Sequence, residues 1–334
     1  MGGCIGASLV RAGTDVLFVD REEDHVTAMN RSGLHITGPV EEFRIPVRAM
    51  TPPEVKGQFP LCLLCVKSHH TSEALDQLVP HLAEDGAVVS IQNGLCEHEI
   101  ADRVGPGRTI GAFVNFGADY LEPGVIHRGN RGATVVGELD GALTDRIRGV
   151  HELLQRFEPD AILTENIFGY LWGKLAYASL LFASALTNDS IADVLAEESF
   201  RPKLIALAGE AVAVALAEGV KLESFDGFDP EAFRPGGDPG LTAASLDDLV
   251  RFNRASGKTH SGIWRDLAVR KRRTEVDAQL GWIVRIGEQK GVPTPLTRAV
   301  MDQIRQIESG ARTLGRDNLW ELGKAADLRS SPAP

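Results

Sequence analysis

A glycine-rich head followed by an acid at the end of the first strand-like run constrains this fold more than any other feature. Met1-Gly2-Gly3-Cys4-Ile5-Gly6 passes into the apolar helical pattern Leu9, Val10, Ala12, and Gly13 then leads into Val16-Leu17-Phe18-Val19, which ends at Asp20-Arg21. A glycine turn, a helix and an acid-terminated strand make up the second half of a βαβ dinucleotide-binding unit. In such a unit the glycines let the backbone approach a pyrophosphate, the helix points its first N–H groups at the charge, and the acid accepts a ribose hydroxyl. Gly2 then reads as the last glycine of a G-x-G-x-x-G turn, with Gly2 and Gly3 beside the cofactor. The unit's first strand and two earlier glycines are missing. Loss of that central strand would leave its neighbours with unpaired backbone groups, each costing about 1–3 kcal/mol if buried. Met1 accordingly reads as an internal methionine or a trimmed start.

A chain of 334 residues with 43% hydrophobic and 24% charged residues has the length and balance of two soluble domains. Its net charge of −11 argues against general affinity for nucleic acid or an acidic membrane. No apolar run reaches the length of a membrane span and no signal peptide precedes the glycines, so a cytoplasmic location is expected. Cys4, Cys62, Cys65 and Cys96 are too few for a disulfide scaffold. Cys62 and Cys65 have C-x-x-C spacing but lie in a continuous apolar run. Residues three apart on a strand face opposite sides, and no second ligand pair exists, so no metal site is expected. The adjacent His69 and His70 read as exposed loop residues.

Strand-like runs at residues 16–20, 61–66, 87–91 and 109–114 alternate with amphipathic stretches such as 23–32 and 71–82. This alternation predicts an α/β, Rossmann-type domain with a parallel sheet between helices. Runs at 124–128 and 133–138, separated by Gly129-Asn130-Arg131-Gly132, predict an edge hairpin. Beyond about Phe157 the strands stop and the period becomes helical, with helices expected at 167–186, 200–218, 241–255, 270–290 and 295–310. The Pro- and Gly-rich stretch 224–240 reads as a long loop. The expected organisation is a dinucleotide-binding domain over 1–163, an all-α domain over 164–328 and a disordered tail over 329–334.

Open parallel sheets bind ligands beyond the carboxyl ends of their strands. Lys67, after the 61–66 run, and Asn93, after the 87–91 run, are polar residues in that place, suited to cofactor phosphate or ribose and to the nicotinamide side.

Val66-Lys67-Ser68, Ile91-Gln92-Asn93-Gly94, Trp172-Gly173-Lys174-Leu175 and Arg273-Thr274-Glu275-Val276-Asp277 occur in this order at family-like spacing. With Asn30-Arg31-Ser32-Gly33-Leu34 and Pro123-Gly124-Val125-Ile126, they make the chain resemble the ketopantoate reductase family, the 2-dehydropantoate 2-reductases of pantothenate and coenzyme A synthesis. The likeness runs from Gly2 to about Gly310. It implies NADPH-dependent reduction of a 2-oxo acid in a site between the two domains, with Lys174 as general acid and Glu275 binding the substrate hydroxyl and orienting the lysine. A lysine ammonium can do both electrostatic and acid work when partial burial draws it toward neutrality. The resemblance also implies a serine presented to the substrate carboxylate, here Ser261.

Two positions depart from the family pattern. Where the family usually places asparagines four and eight residues after the lysine, this chain has Ala178 and Phe182. A lost amide should cost roughly 1–3 kcal/mol of substrate binding. The alternatives are therefore a reductase of the same fold for a more apolar 2-oxo acid, or an NADP-binding protein without catalysis. Cofactor choice is divided as well. Arg21 occupies the family's NADP-binding position, which favours NADP, whereas Asp20 would repel a 2′-phosphate and favours NAD. The helical domain's apolar surface suits a homodimer.

Overall fold

A computed structural model describes residues 1–255 and 259–327, and the chain divides into two compact units, Met1–Ile167 and the residues from Phe168 onward. The tail expected over 329–334 lies outside the described residues.

Unit 1 is α/β. Its helices are α1 (Gly2–Arg11), α2 (Glu23–Ser32), α3 (Thr71–Leu78), α4 (Cys96–Val104) and α5 (Asp145–Gln155). Its strands are β1 (Leu17–Val19), β2 (Leu34–Thr37), β3 (Phe43–Ile45), β4 (Arg48–Met50), β5 (Phe59–Leu64), β6 (Leu82–Ser90), β7 (Thr109–Val114), β8 (Ala118–Glu122), β9 (Val125–Arg128), β10 (Thr134–Glu138) and β11 (Ile162–Leu163). Parallel strands covered on both faces need unbroken apolar sequence. β7 is buried at every residue, and β6 is buried from Gly86 to Ser90.

Three sheets result: β1–β4, the order β11-β10-β7-β6-β5, and the order β3-β2-β9-β8. β5, β6 and β7 run parallel, whereas β10 is antiparallel to β7. Among the described strands, β1 pairs only with β4 and β5 only with β6. The glycines of α1 touch all three sheets. A methyl group at Gly2 would come within 2.9 Å of the Cys65 Cβ just past β5. At Gly6 it would come within 2.6 Å of Phe18 on β1, and at Gly3 it would strike Ile126 on β9.

Several expectations change here. The runs around β9 and β10 form no hairpin with each other. β9 pairs with β2 and β8, while β10 joins the large sheet. The Gly129–Gly132 link is thus a crossing between sheets, where a turn between paired strands was expected. Strands also continue past Phe157, since β11 adds to β10 in parallel. The helix expected over 71–82 ends at Leu78 ahead of Pro80, and β6 begins at Leu82, earlier than its most apolar stretch suggested.

Unit 2 is all-α: α6 (Ile167–Ser184), α7 (Ile191–Ala196), α8 (Arg201–Ala217), α9 (Pro239–Ala255), α10 (Gly262–Trp264), α11 (Val276–Lys290), α12 (Pro295–Glu308) and α13 (Arg316–Asp327). α8 is apolar nearly all round and buries Leu204, Leu207, Ala208, Ala211 and Val212, as a core helix must. The helix expected from residue 270 begins only at Val276. Arg265–Val269 forms a π-helical turn, and Lys271 then takes φ 51°, which breaks the helix. Glu275 consequently occupies the N-cap position of α11, where a site inside the helix was expected. The expected loop over 224–240 is partly ordered, with a 3₁₀ turn at Pro230–Phe233 and Phe225, Phe228 and Phe233 buried.

Candidate functional site

In unit 1, the turns that follow two neighbouring parallel strands are tied together. β5 and β6 are in register with Leu64 opposite Ser90, so their carboxyl ends lie side by side. The Ser68 hydroxyl donates to the Asn93 carbonyl at 2.8 Å, and the Gln92 amide donates to the Val66 carbonyl at 3.0 Å and to the Thr71 hydroxyl at 2.8 Å. Lys67 and Asn93 are thereby brought to one place, Lys67 exposed and Asn93 half-buried. Gly94 takes φ +90°, a conformation that an L side chain seldom adopts, which explains the Asn93-Gly94 pair. His69 and His70 belong to a short 3₁₀ turn, His69 exposed and His70 half-buried.

A second strand end lies at Asp20. Its N–H donates to Met50 on β4, and its carboxylate accepts the Glu22 N–H at 3.0 Å, which fixes the side chain at the entry to α2. Arg21 is exposed and pairs with Glu22 at 3.2 Å. α1 opens without a side-chain cap. Its first amides are the kind of donors that hold a phosphate. The Cys65 Cβ stands where a side chain at Gly2 would need space, so the glycine keeps the backbone close to the sheet. Together these features offer backbone donors and a strand-end carboxylate of the kind a dinucleotide needs.

The cysteine thiols of this unit are held toward the neutral form by burial. Burial pushes the Cys62 and Cys65 thiols up to about 11 and Cys96 up to about 12. The thiolate is the metal-binding and redox-active form. No group of three or more potential metal ligands exists among the described residues.

In unit 2, Lys174 is half-buried on α6, between anchors. Trp172 is almost fully enclosed, and a methyl group on Gly173 would come within 2.9 Å of the Glu223 carbonyl, so the glycine allows the 223–230 segment to lie against the helix. Ala178 and Phe182 follow Lys174 at i+4 and i+8, one face of the helix. Ala178 is 7% exposed and Phe182 wholly enclosed. Phe182, expected to contact substrate, is thus enclosed in the core of unit 2.

Glu275 is 7% exposed at the head of α11, and its carbonyl accepts the Gln279 N–H. Beside it, the Thr274 N–H and hydroxyl both donate to Glu308 at 2.7 Å, anchoring this turn to α12. Ser261 caps α10, its hydroxyl oxygen accepting the Trp264 N–H at 3.2 Å, and its side chain is buried. The flanking His260 stacks on Trp264 and contacts the Asn188 carbonyl.

Sequence reasoning passed over two residues. Asn253 is buried on α9 on the stripe Leu246, Leu249, Val250, Asn253. It bonds the Tyr177 phenol, one turn beyond Lys174, and burial is the main cause that raises that phenol's pKa. A polar residue on an apolar stripe was the signal that could have revealed it. Asn188 gave no such signal, because it lies in the irregular segment between α6 and α7.

The protein-family model described as ketopantoate reductase PanE/ApbA matches residues 1–141, and its C-terminal counterpart matches residues 166–308. The chain belongs to the ketopantoate reductase family. Within that family, the 2-dehydropantoate 2-reductase of Mesorhizobium japonicum is 27% identical over 330 residues, covering 92% of this chain and 94% of the relative. The Pyrococcus abyssi protein of the same name is 31% identical over 228 residues, 67% of this chain and 73% of its own. Among solved structures, a PanE/ApbA family ketopantoate reductase from Ralstonia eutropha superposes with a TM-score of 0.76 at 27% identity, covering 92% of this chain and 94% of that one. Membership makes this chain an oxidoreductase of the two-part Rossmann and helical fold. No helix of the described residues is long and apolar enough to cross a membrane.

Proposed function

We propose that the protein reduces 2-dehydropantoate to pantoate, taking hydride from a reduced nicotinamide dinucleotide. The observation that carries this reading is the retention of a half-buried Lys174, positioned by Trp172 and Gly173, together with a low-exposure Glu275, in a chain of this family. In unit 1, the α1 amides with Gly2 and Gly3, the Asp20 carboxylate with its neighbour Arg21, and the joined turns of Lys67 and Asn93 would hold the dinucleotide. A bound reduced nicotinamide would supply the hydride for the substrate carbonyl carbon.

The chain's own residues then manage charge and protons. The Lys174 ammonium donates a hydrogen bond to the ketone oxygen and delivers its proton as negative charge develops there, an effect typically worth 10²–10⁴ in rate. Glu275 accepts a hydrogen bond from a substrate hydroxyl and orients the ammonium. The Ser261 oxygen already accepts the Trp264 N–H, which leaves its own proton to donate to the substrate carboxylate.

Incubation with 2-dehydropantoate and reduced cofactor, followed by mass spectrometry, tests this reading. Pantoate must appear in step with cofactor oxidation. A second reading, reduction of a more apolar 2-oxo acid, is favoured by Ala178 standing where the family usually has an asparagine, and a panel of 2-oxo acids ranked by kcat/KM separates the two.

A further inference from the structure

The family resemblance implies NADPH, yet the surroundings of the expected ribose site do not suit a 2′-phosphate. We propose that Asp20 makes this protein select NADH over NADPH. The inference rests on the reductase reading above and specifies its cofactor.

Asp20 follows β1 directly, in the place where a strand-end acid meets the adenosine ribose. The Glu22 N–H holds one of its oxygens at 3.0 Å, leaving the other for a ribose hydroxyl. A carboxylate that accepts a 2′-OH repels a phosphate put in the same spot. The residues that follow Asp20 along the chain do not reverse that sign. The segment Asp20-Arg21-Glu22-Glu23-Asp24 sets four acids against one arginine, and the arginine is already paired with Glu22 at 3.2 Å. An exposed ion pair of this kind is weak in itself. It still places a carboxylate beside the one guanidinium that would receive the phosphate.

Two further elements bring no positive charge. His25 on α2 accepts the Gly124 N–H through Nδ1 at 2.9 Å, which uses the neutral ring. Burial also lowers its pKa, against the opposing pull of Asp20 and Glu22. Tyr120 on β8, half-exposed, stands edge-on to His25 at 5.2 Å. Its phenol is raised by burial and then by the charges of Glu22, Asp20, Asp24 and Glu122. Lys67 is carried by a different strand end, after β5. The dinucleotide fits this surface, and the extra phosphate of NADPH does not.

Direct titration of the protein with NADH and with NADPH by calorimetry tests the proposal without recourse to turnover. NADH should bind at least tenfold more tightly. Asp20→Asn keeps an acceptor for the Glu22 N–H while removing the charge, and should narrow the gap by roughly tenfold, mainly by improving NADPH. Arg21→Ala should weaken NADPH by less than threefold. Tighter binding of NADPH by the wild-type protein, or a selective loss of NADPH in Arg21→Ala, overturns the inference and leaves the reductase reading standing. Failure of both dinucleotides to bind overturns the two together.

Discussion

The Ser68 hydroxyl donates to the Asn93 carbonyl across 2.8 Å, joining the turns that follow β5 and β6. Through this bond the two polar residues assigned to the cofactor, Lys67 and Asn93, hold their positions as one surface. Ser68→Ala removes a largely buried hydroxyl bond worth about 1 kcal/mol. Dinucleotide affinity should therefore fall roughly fivefold with the far-ultraviolet spectrum unchanged. Unchanged affinity in a calorimetric titration would mean that the turns are held by other contacts.

Phe182 is wholly enclosed on α6, eight residues beyond Lys174. Phe182→Ala leaves a large cavity and should cost about 3–5 kcal/mol of stability. Denaturant unfolding reads this directly. A loss below about 1 kcal/mol would place the ring in an accessible pocket and restore it to direct substrate contact.

Glu210 is the one acid of α8. Its carboxylate accepts the Leu296 and Thr297 N–H groups and the Thr297 hydroxyl at 2.7–2.8 Å, capping the start of α12. Burial, outweighing these bonds and Arg298, raises its pKa. A carboxyl raised in the folded state binds its proton more tightly there. Its contribution is thus full below the unfolded value of about 4.3 and is lost as pH rises through the folded one. Glu210→Gln does not titrate, so its melting temperature should gain on that of the wild type between pH 4 and pH 7. The opposite trend would show that the capping bonds dominate.

β1 and β5 each lack a second partner among the described strands, and Val19 at the end of β1 and Val66, two residues past β5, are 49% and 37% exposed. Amides on the open side of a strand exchange with solvent through small local openings. Hydrogen exchange resolved by residue should therefore show alternate amides of Phe59–Leu64 exchanging faster than those of Thr109–Val114, which lies between β6 and β10. Equal protection of the two strands would mean that the β5 edge is covered.

Local periodicity made the helices α6, α8, α9 and α12 readable, and continuous apolar runs gave β5, β6 and β7, because each pattern is contained within its own segment. The partners of β9 and β10 were not legible in the same way. Both strands alternate and a short glycine link joins them, yet the pairing is decided by β2 and β7, which lie far away in sequence. The position of Glu275 was missed for another reason. Its basic neighbours suit a helix, and only the positive φ of Lys271 with the bonds from Thr274 to Glu308 stops one from forming. Lys174 was recognised through its motif, whereas the enclosure of Phe182 depends on packing within unit 2 that no spacing shows.

The central claim is that Lys174 acts as the proton donor in reduction of 2-dehydropantoate, and cofactor absorbance at 340 nm tests it most directly. With NADH supplied, and NADPH in a parallel run, the wild-type protein should oxidise cofactor when 2-dehydropantoate is added. Lys174→Ala should lower kcat about 10²–10⁴-fold while leaving dinucleotide binding intact. Turnover by Lys174→Ala at a rate close to that of the wild type would contradict the account.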